Sequence, residues 1–276
     1  PGGYQIGFEY LHFINIYYCR SNPNPTIYWE ARLKNNVLKG VNAMPGKKTW
    51  FLLVVIFSMA ALCGCGSTDS NSPAPFAILA MNNGTTGNEP FILRDNVATL
   101  LKDINQGVGS SNPSGFTYFN GKVYFSADDG INGAELWVTD GTPAGTVMLK
   151  DIQPGIFGSE PKRFISLNGK LYFTAGTLSS GTELWVTDGT AAGTVMLKDI
   201  APGLDSSYIY EISSFNGKLY FSADDWVTRR ELWVTDGTEA GTVLLKDINP
   251  GAGVSYAYGF TSFNGKLYFS ADDGIN

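Results

Sequence analysis

The stretch Glu135–Thr142, Glu-Leu-Trp-Val-Thr-Asp-Gly-Thr, decides the fold, because the chain repeats it unchanged at Glu183–Thr190 and Glu231–Thr238. Each copy begins 48 residues after the one before it. A fixed period of about 20 to 50 residues is typical of repeat proteins, in which every unit packs on its neighbours. The sequence therefore predicts a fold built from one 48-residue unit.

Within one unit, short apolar segments alternate with turn sequences. Strands are predicted at Phe116–Phe119, Lys122–Ala127, Glu135–Thr139 and Thr146–Ile152. The intervening Asn120-Gly121 predicts a two-residue hairpin turn, since a type I′ turn needs positive φ at both positions. Four short antiparallel strands within about 40 to 50 residues match the size of a propeller blade. The sequence therefore predicts an all-β fold, a β-propeller-like array of four-stranded antiparallel blades, with a β-solenoid as the alternative.

The repeated phrase resembles the ELWxxDGT repeat of exported bacterial proteins. The resemblance rests on the three copies of Glu-Leu-Trp-Val-Thr-Asp-Gly-Thr and on the Ala-Gly-Thr that follows each, and it covers about two hundred residues from Phe76 onward. It implies export and a β-rich repeat domain. It implies no particular activity.

The residues ahead of the repeats contain a basic start, an apolar run and a box that ends in cysteine. After Met44, two lysines precede the apolar run Trp50–Leu62, whose 13 residues suit a secretory signal and are short for a spanning helix. The Leu-Cys-Gly-Cys sequence that ends at Cys65 resembles a lipobox with Cys65 as the lipidated residue. This resemblance implies a lipid anchor in a bacterial cell envelope, at the outer membrane or the cell surface. An ordinary signal peptide that is cleaved nearby is the alternative.

These features divide the chain into four segments. Residues 1–43 share nothing with the repeats and are expected to be a non-native upstream extension, with a genuine N-terminal extension as the alternative. Residues 44–64 are the predicted signal peptide, and 65–75 are the lipidated cysteine with a flexible tether rich in Ser and Pro. Residues 76–276 are the β-repeat domain. We expect that domain to be incomplete at its C-terminus, because the last seven residues repeat 126–132 and stop before the Glu-Leu-Trp phrase.

Composition narrows the classes of function. The chain has a formal net charge of −6, and its residues after Cys65 carry 13 basic and 23 acidic side chains. A nucleic-acid partner would need a basic surface, so that class is excluded. The single histidine, His12, and the three cysteines Cys19, Cys63 and Cys65 all precede the repeats. The repeat domain therefore lacks His-based acid–base catalysis and His or Cys metal sites, and we predict no catalytic residues, no enzyme activity and no cofactor.

A glutamate, a tryptophan and an aspartate recur in every complete unit, and we predict that they are structural, since stacked units need the same packing and the same turn. These residues are Glu135, Trp137, Asp140, Glu183, Trp185, Asp188, Glu231, Trp233 and Asp236. One loop carries oxygens that calcium would use, from Asp128, Asp129, Asn132 and Glu135. The second unit lacks the loop aspartates, so we predict a solvated turn without metal and keep calcium as the alternative.

The loops between strands two and three, and those between units, differ most from copy to copy. Because a four-stranded meander alternates its ends, these loops are predicted to share one rim, opposite the uniform Asn-Gly and Asp-Gly turns. They are rich in Tyr, Trp and Arg, the residue types that dominate recognition hot spots. The candidate ligand-binding residues are Arg163, Tyr208, Tyr210, Trp226, Arg229, Arg230, Tyr256 and Tyr258. Ordinary loop drift is the alternative.

The sequence thus predicts a cell-envelope lipoprotein with a non-enzymatic binding or adhesion domain. Its expected partners are the membrane, through the lipid, and a glycan or protein ligand at the cell surface. One alternative is a secreted propeller enzyme that acts on glycans through carboxylates such as Asp128 or Glu135, and another is a structural spacer in a larger surface protein. The absence of histidine and of a unique acid pair in the repeats favours binding over catalysis.

Overall fold

The computed structural model describes residues 76–94 and 97–275, and those residues form 17 strands. Among them there is no helix long and apolar enough to cross a membrane. The predicted leader, Cys65 and the tether lie outside the described residues. The strands are β1 Ala77–Asn82, β2 Asn88–Arg94, β3 Val97–Leu100, β4 Ser114–Phe119, β5 Lys122–Asp128, β6 Ala134–Thr139, β7 Val147–Lys150, β8 Lys162–Leu167, β9 Lys170–Thr177, β10 Gly181–Thr187, β11 Val195–Lys198, β12 Ile212–Phe215, β13 Lys218–Asp224, β14 Arg230–Thr235, β15 Val243–Lys246, β16 Tyr258–Phe263 and β17 Lys266–Ser270.

The strands form five antiparallel sheets, which we call blades. Blade I is β1-β2-β3, blade II is β4 to β7, blade III is β8 to β11, blade IV is β12 to β15, and blade V is β16-β17. Within each blade the strands are hydrogen-bonded in chain order, so every blade is a meander. The prediction of an all-β, propeller-like array of four-stranded antiparallel blades is confirmed. In a solenoid, strands of successive units would pair with each other, whereas here every pair lies within one unit.

The middle strands of the blades are buried on both faces. In β5, the whole of Val123–Ala127 is buried, and in β6 so is Glu135–Thr139. The reason is that blades cover each other: Trp185 packs with Leu136 and Ile152 of the preceding blade as well as with its own blade. Trp137 and Trp233 likewise belong to apolar clusters that include residues of the preceding blade. The repeated tryptophan therefore fills the junction between neighbours.

The repeated glutamate is buried and connects three segments of the chain by hydrogen bonds. Glu135 is fully buried, and its Oε2 accepts the Ile152 N–H at 2.9 Å and the Ser159 O–H at 2.6 Å. Its Oε1 accepts the Gln153 N–H at 3.0 Å. This bonding explains why the fourth strand ends at Lys150 rather than at the predicted Ile152, since the next amides turn towards the carboxylate. The glutamates of the other units, Glu89, Glu183 and Glu231, are also fully buried.

The Asp-Gly-Thr turn is held together by its own side chains. The Asp140 carboxylate accepts the Thr142 N–H at 2.9 Å and the Thr142 O–H at 2.7 Å. The hydroxyl of Thr142 accepts the Gly145 N–H at 2.9 Å. A Cβ on Gly145 would collide with the Asp140 carboxylate, which accounts for the second glycine of the phrase. The same bonds recur in the turns of blades III and IV.

Candidate functional site

Successive connections of a meander lie at alternate ends of the blade, and the contacts between loops agree with this placement. On the rim that carries the variable loops, the Trp226 Nε1–H donates to the Ser206 carbonyl at 3.1 Å. A loop within blade IV thus contacts the segment that leads into blade IV. Among the uniform turns, the Asn168 Nδ2–H donates to the Gly217 carbonyl at 3.1 Å. Variable loops therefore contact variable segments, and uniform turns contact uniform turns.

The segments that lead into blades IV and V carry a duplicated tyrosine pair. Residues 207–210 read Ser-Tyr-Ile-Tyr and 255–258 read Ser-Tyr-Ala-Tyr, whereas 111–114 and 159–162 read Ser-Asn-Pro-Ser and Ser-Glu-Pro-Lys. The second residue of all four segments has a positive φ, between 44° and 49°. The backbone is therefore shared by four units, while the tyrosines belong to two of them.

Arg230 lies between the first tyrosines of the two pairs. Its guanidinium carbon is 5.8 Å from the ring centroid of Tyr208 and 5.5 Å from that of Tyr256. Each such cation–π contact contributes about 0.5 to 1 kcal/mol when it is exposed to solvent. Both tyrosines are about half exposed, at 52% and 53%. The arginine is thus held in place by residues that themselves face solvent.

The aromatic contacts continue on both sides of Arg230. The Tyr208 ring is 6.2 Å from the Trp226 ring, over which Arg229 lies at 5.0 Å. On the other side, Arg163 of blade III lies 5.2 Å from the Tyr210 ring and donates from Nε to the Ile209 carbonyl at 2.7 Å. The structure therefore joins candidate residues of three blades into one surface.

An open cleft of about 150 Å³ lies within this surface. Its lining residues are Tyr210, Ser222, Arg230, Tyr256, Ala257 and Tyr258. Ser222 is 1% exposed, and its Oγ has no hydrogen-bond partner in the described part of the chain. The same holds for the Nε of Arg230. The cleft therefore has aromatic walls and two buried, unsatisfied polar groups.

We call the eight candidate residues together the aromatic–arginine surface. Three of them, Arg163, Arg230 and Tyr258, lie in strands β8, β14 and β16 rather than in loops, because these strands begin earlier than the apolar pattern indicated. Ser222 was not among the candidates. The equivalent Thr174 donates to the Lys162 carbonyl at 3.2 Å, whereas Ser222 Oγ is buried without a partner among the described residues, a difference that sequence does not reveal.

Three members of the surface have a positive φ where other blades have glycine, and two of the three lie in one loop of blade IV. Trp226 has φ +62° where blade II has Gly130, and Arg229 has φ +67° where blades II and III have Gly133 and Gly181. A non-glycine residue in this region costs on the order of 1 to 2 kcal/mol. Residues kept in such conformations cluster at functional sites, so the strain itself marks this loop.

The alternative calcium site is not assembled. Asp128 Oδ1 accepts the Gly130 N–H at 2.7 Å, and Asp129 Oδ1 accepts the Ile131 N–H at 2.9 Å, as in an ordinary turn. The Glu135 carboxylate already accepts hydrogen bonds from the Ile152 N–H and the Ser159 O–H. Among residues 76–94 and 97–275, no group of three or more His, Cys, Asp or Glu side chains is placed to hold a metal.

The comparison with known proteins is confined to fold. No protein-family model matches the chain, and no curated protein matches its sequence. Among solved structures it is similar to the computationally designed Ika8 protein, at 14% identity and a TM-score of 0.40 over 72% of this chain and 53% of that one. It is also similar to an α-L-arabinofuranosidase from Clostridium thermocellum, at 16% identity and a TM-score of 0.32 over 71% of this chain and 77% of the other.

A third similar structure is the GH74 xyloglucanase from Xanthomonas campestris, at 13% identity and a TM-score of 0.37 over 72% of this chain and 36% of that enzyme. The chain thus spans about half of the designed protein and about a third of the xyloglucanase. Likeness at this level brings neither an activity nor a ligand to this chain.

Proposed function

We propose that the protein is a cell-envelope lipoprotein whose repeats, of the ELWxxDGT kind, form a non-enzymatic domain that binds a ligand through the aromatic–arginine surface. The observation that carries the proposal is the contact of Arg230 with both Tyr208 and Tyr256, which come from two different inter-blade segments. Uniform turns offer the same chemistry at every blade. An uneven patch of Tyr, Trp and Arg offers the residue types that contribute most to binding energy.

Electrostatics supports the same proposal. The described chain has one ion pair, between Lys162 and Glu160, and the arginines at 163, 229 and 230 contact aromatic rings instead of carboxylates. Among the described residues, none of these three arginines forms an ion pair with a carboxylate. In a region that carries ten more acidic than basic residues, this isolated positive patch favours an anionic ligand over a neutral one.

The carboxylates that an enzyme would use support binding rather than catalysis. Glu135 is fully buried and accepts three hydrogen bonds from the protein. Asp128 accepts a backbone N–H within its turn. A glycan-hydrolysing pair would need one carboxyl group on each side of the scissile bond, both open to the substrate.

Anchoring through Cys65 rests on the sequence of residues 44–65, with its basic start, apolar core and cysteine-ended box. A lipid on Cys65 followed by the polar tether 66–75 would hold the blades near a membrane while leaving their rims accessible.

The test of the proposed function is a glycan and cell-surface binding array with the purified protein. It compares wild type with the triple variant Trp226→Gly/Arg229→Ser/Arg230→Ser. The matched control is Asn120→Ala/Asn168→Ala, which alters the uniform turns on the opposite rim. We expect the triple variant to lose binding and the turn variant to retain it. Equal binding by all three proteins, or loss only in the turn variant, would refute the assignment of the binding rim.

A further inference from the structure

The cleft beside Arg230 has a chemistry of its own within the aromatic–arginine surface. Ser222 Oγ and Arg230 Nε are both buried and both lack a hydrogen-bond partner among the described residues. A buried polar group without a partner destabilises the fold, because it has lost its hydrogen bonds to water. Such groups in native proteins call for a specific explanation, and a ligand that accepts hydrogen bonds is one.

The two unsatisfied groups specify an acceptor. Nε of arginine donates only, and a serine hydroxyl can donate, so a ligand oxygen with lone pairs can satisfy both. The guanidinium carbon of Arg230 lies 5.8 Å from the ring centroid of Tyr208 and 5.5 Å from that of Tyr256, and the side chain lines the cleft. A planar fork of N–H donors matches the two oxygens of a carboxylate.

Charge further favours a carboxylate over a phosphate. The residues after Cys65 carry an excess of ten acidic side chains, and a doubly charged phosphate meets more repulsion than a singly charged carboxylate. Asp224, the cross-strand partner of Arg230, accepts the Trp226 N–H at 2.7 Å and forms no ion pair with Arg230. Arg230 is the one charged side chain in the lining of the cleft, which matches a ligand group with a single negative charge.

The walls and the size of the cleft point to a sugar ring. Tyr210, Tyr256 and Tyr258 line it, and these residues are 53 to 62% exposed. Aromatic faces at a wet surface pack against the C–H face of a pyranose while its hydroxyls keep their water. The volume of about 150 Å³ is well above the roughly 10 to 15 Å³ that a single water needs, so the cleft has room for a sugar ring.

We infer that the cleft binds a hexuronic acid unit of an acidic polysaccharide, with its carboxylate on Arg230 and Ser222 and its ring against the tyrosines. This inference rests on the proposed binding function and specifies the ligand class of one part of that surface. Trp226 and Arg229 lie next to the cleft and would contact the neighbouring sugar units.

The test uses the full chain, purified in detergent, and an oligogalacturonate as the probe. Isothermal titration compares this probe with the same oligosaccharide after full methyl esterification, which keeps the rings and removes the charge. We expect the ester to bind at least about tenfold more weakly, because a charge-assisted bidentate pair is lost. This comparison changes the ligand alone, so it does not depend on how any variant folds.

The protein side of the test uses Arg230→Gln, Arg230→Lys and Ser222→Ala. Both arginine variants should lose about tenfold or more for the acidic probe, since lysine keeps the charge and loses the planar fork. Ser222→Ala should lose about threefold to tenfold. Ser126→Ala, the equivalent serine of blade II, is the matched control and should bind like wild type.

Three outcomes would contradict the inference. Equal affinity for the acid and the ester overturns the inference, and so does unchanged binding in both Arg230→Gln and Ser222→Ala. In either case the proposed function still stands if the triple variant Trp226→Gly/Arg229→Ser/Arg230→Ser loses binding on the array. Preference for peptides with a free terminal carboxylate over both sugar probes overturns the sugar assignment. Absence of any ligand for wild type on the array refutes the proposed function itself.

Discussion

Single residues carry the clearest departures from the repeat, and Arg229 is one of them. Arg229 has a φ of +67°, and the equivalent positions in blades II and III, which also have positive φ, are occupied by glycine. We predict that Arg229→Gly raises the free energy of unfolding by about 0.5 to 1 kcal/mol, because it relieves a strained backbone, and that it weakens ligand binding. Urea denaturation and the binding array measure the two effects.

The matched control for that substitution is the reverse change in a sister blade. In Gly181→Ala, the new Cβ would collide with the Asp205 carbonyl, and φ at this position is +60°. This variant should be destabilised. If Arg229→Gly were also less stable than wild type, Arg229 would owe its conformation to packing, and the argument from strain would be wrong.

Glu183 links the stability of the fold to pH. Burial raises its pKa to about 7, against the lowering effect of the Ile200 N–H that it accepts. The folded-state pKa lies above the unfolded value of 4.5, so this glutamate contributes stability that is complete below about pH 4.5 and is lost as the pH rises through 7. We predict a loss of about 2 to 3 kcal/mol of unfolding free energy between pH 4.5 and 8.

Glu183→Gln should remove that component, so its stability should depend less steeply on pH than that of wild type. Denaturation midpoints at a series of pH values measure the difference. Glu239→Gln, at an exposed glutamate of the blade IV turn, is the control and should follow the wild-type curve. Parallel curves for wild type and Glu183→Gln would show that the buried carboxyl does not titrate in this range.

The elements of the fold show what could be predicted from sequence. The Asn-Gly and Asp-Gly-Thr turns and the apolar runs between them are local signals, and they located all four strands of blade II within two residues at each end. The ends that moved depend on distant residues. Strand β7 stops early because Glu135 captures the Ile152 N–H, and β4 begins early through a bulge near Gly115.

The candidate site was predictable to a similar degree. Residue type singled out eight residues of the variable segments, and the meander brings those segments to one rim, where the structure places the eight side chains close together. The duplicated Ser-Tyr-x-Tyr at 207–210 and 255–258 was a further signal, visible when the inter-blade segments are aligned. The place of Ser222 in the lining of the cleft, with an unpaired Oγ, was not predictable, because it depends on which hydrogen bonds the folded chain leaves unmade.

The junction between blades gives a direct test at this scale. Trp185 is 8% exposed and packs with residues of blades II and III. We predict that Trp185→Ala lowers the free energy of unfolding by about 3 to 5 kcal/mol, the usual effect of deleting a buried tryptophan. Thermal and urea denaturation measure it, with the exposed Val227→Ala as the control. A loss below about 1 kcal/mol would show that the tryptophan is not essential to the junction.

For the whole molecule, the proposed anchor predicts a covalent lipid. A gene that starts at Met44 should still yield the mature protein, and cells fed a fatty-acid probe should label wild type but not Cys65→Ala. Cys63→Ala is the control and should label like wild type, because the residue before Cys63 is Leu62 rather than a small residue. Label on Cys65→Ala, or none on wild type, would contradict the lipoprotein proposal.

The central claim concerns which face of the blade array binds. Hydrogen–deuterium exchange, with and without the tightest ligand from the array, tests it most directly because it maps binding along the whole chain. We predict protection in segments 204–211, 224–230 and 252–259, and none in the uniform turns at 120–122, 168–170 and 216–218. Protection confined to the uniform turns, or spread equally over every blade, would contradict the claim.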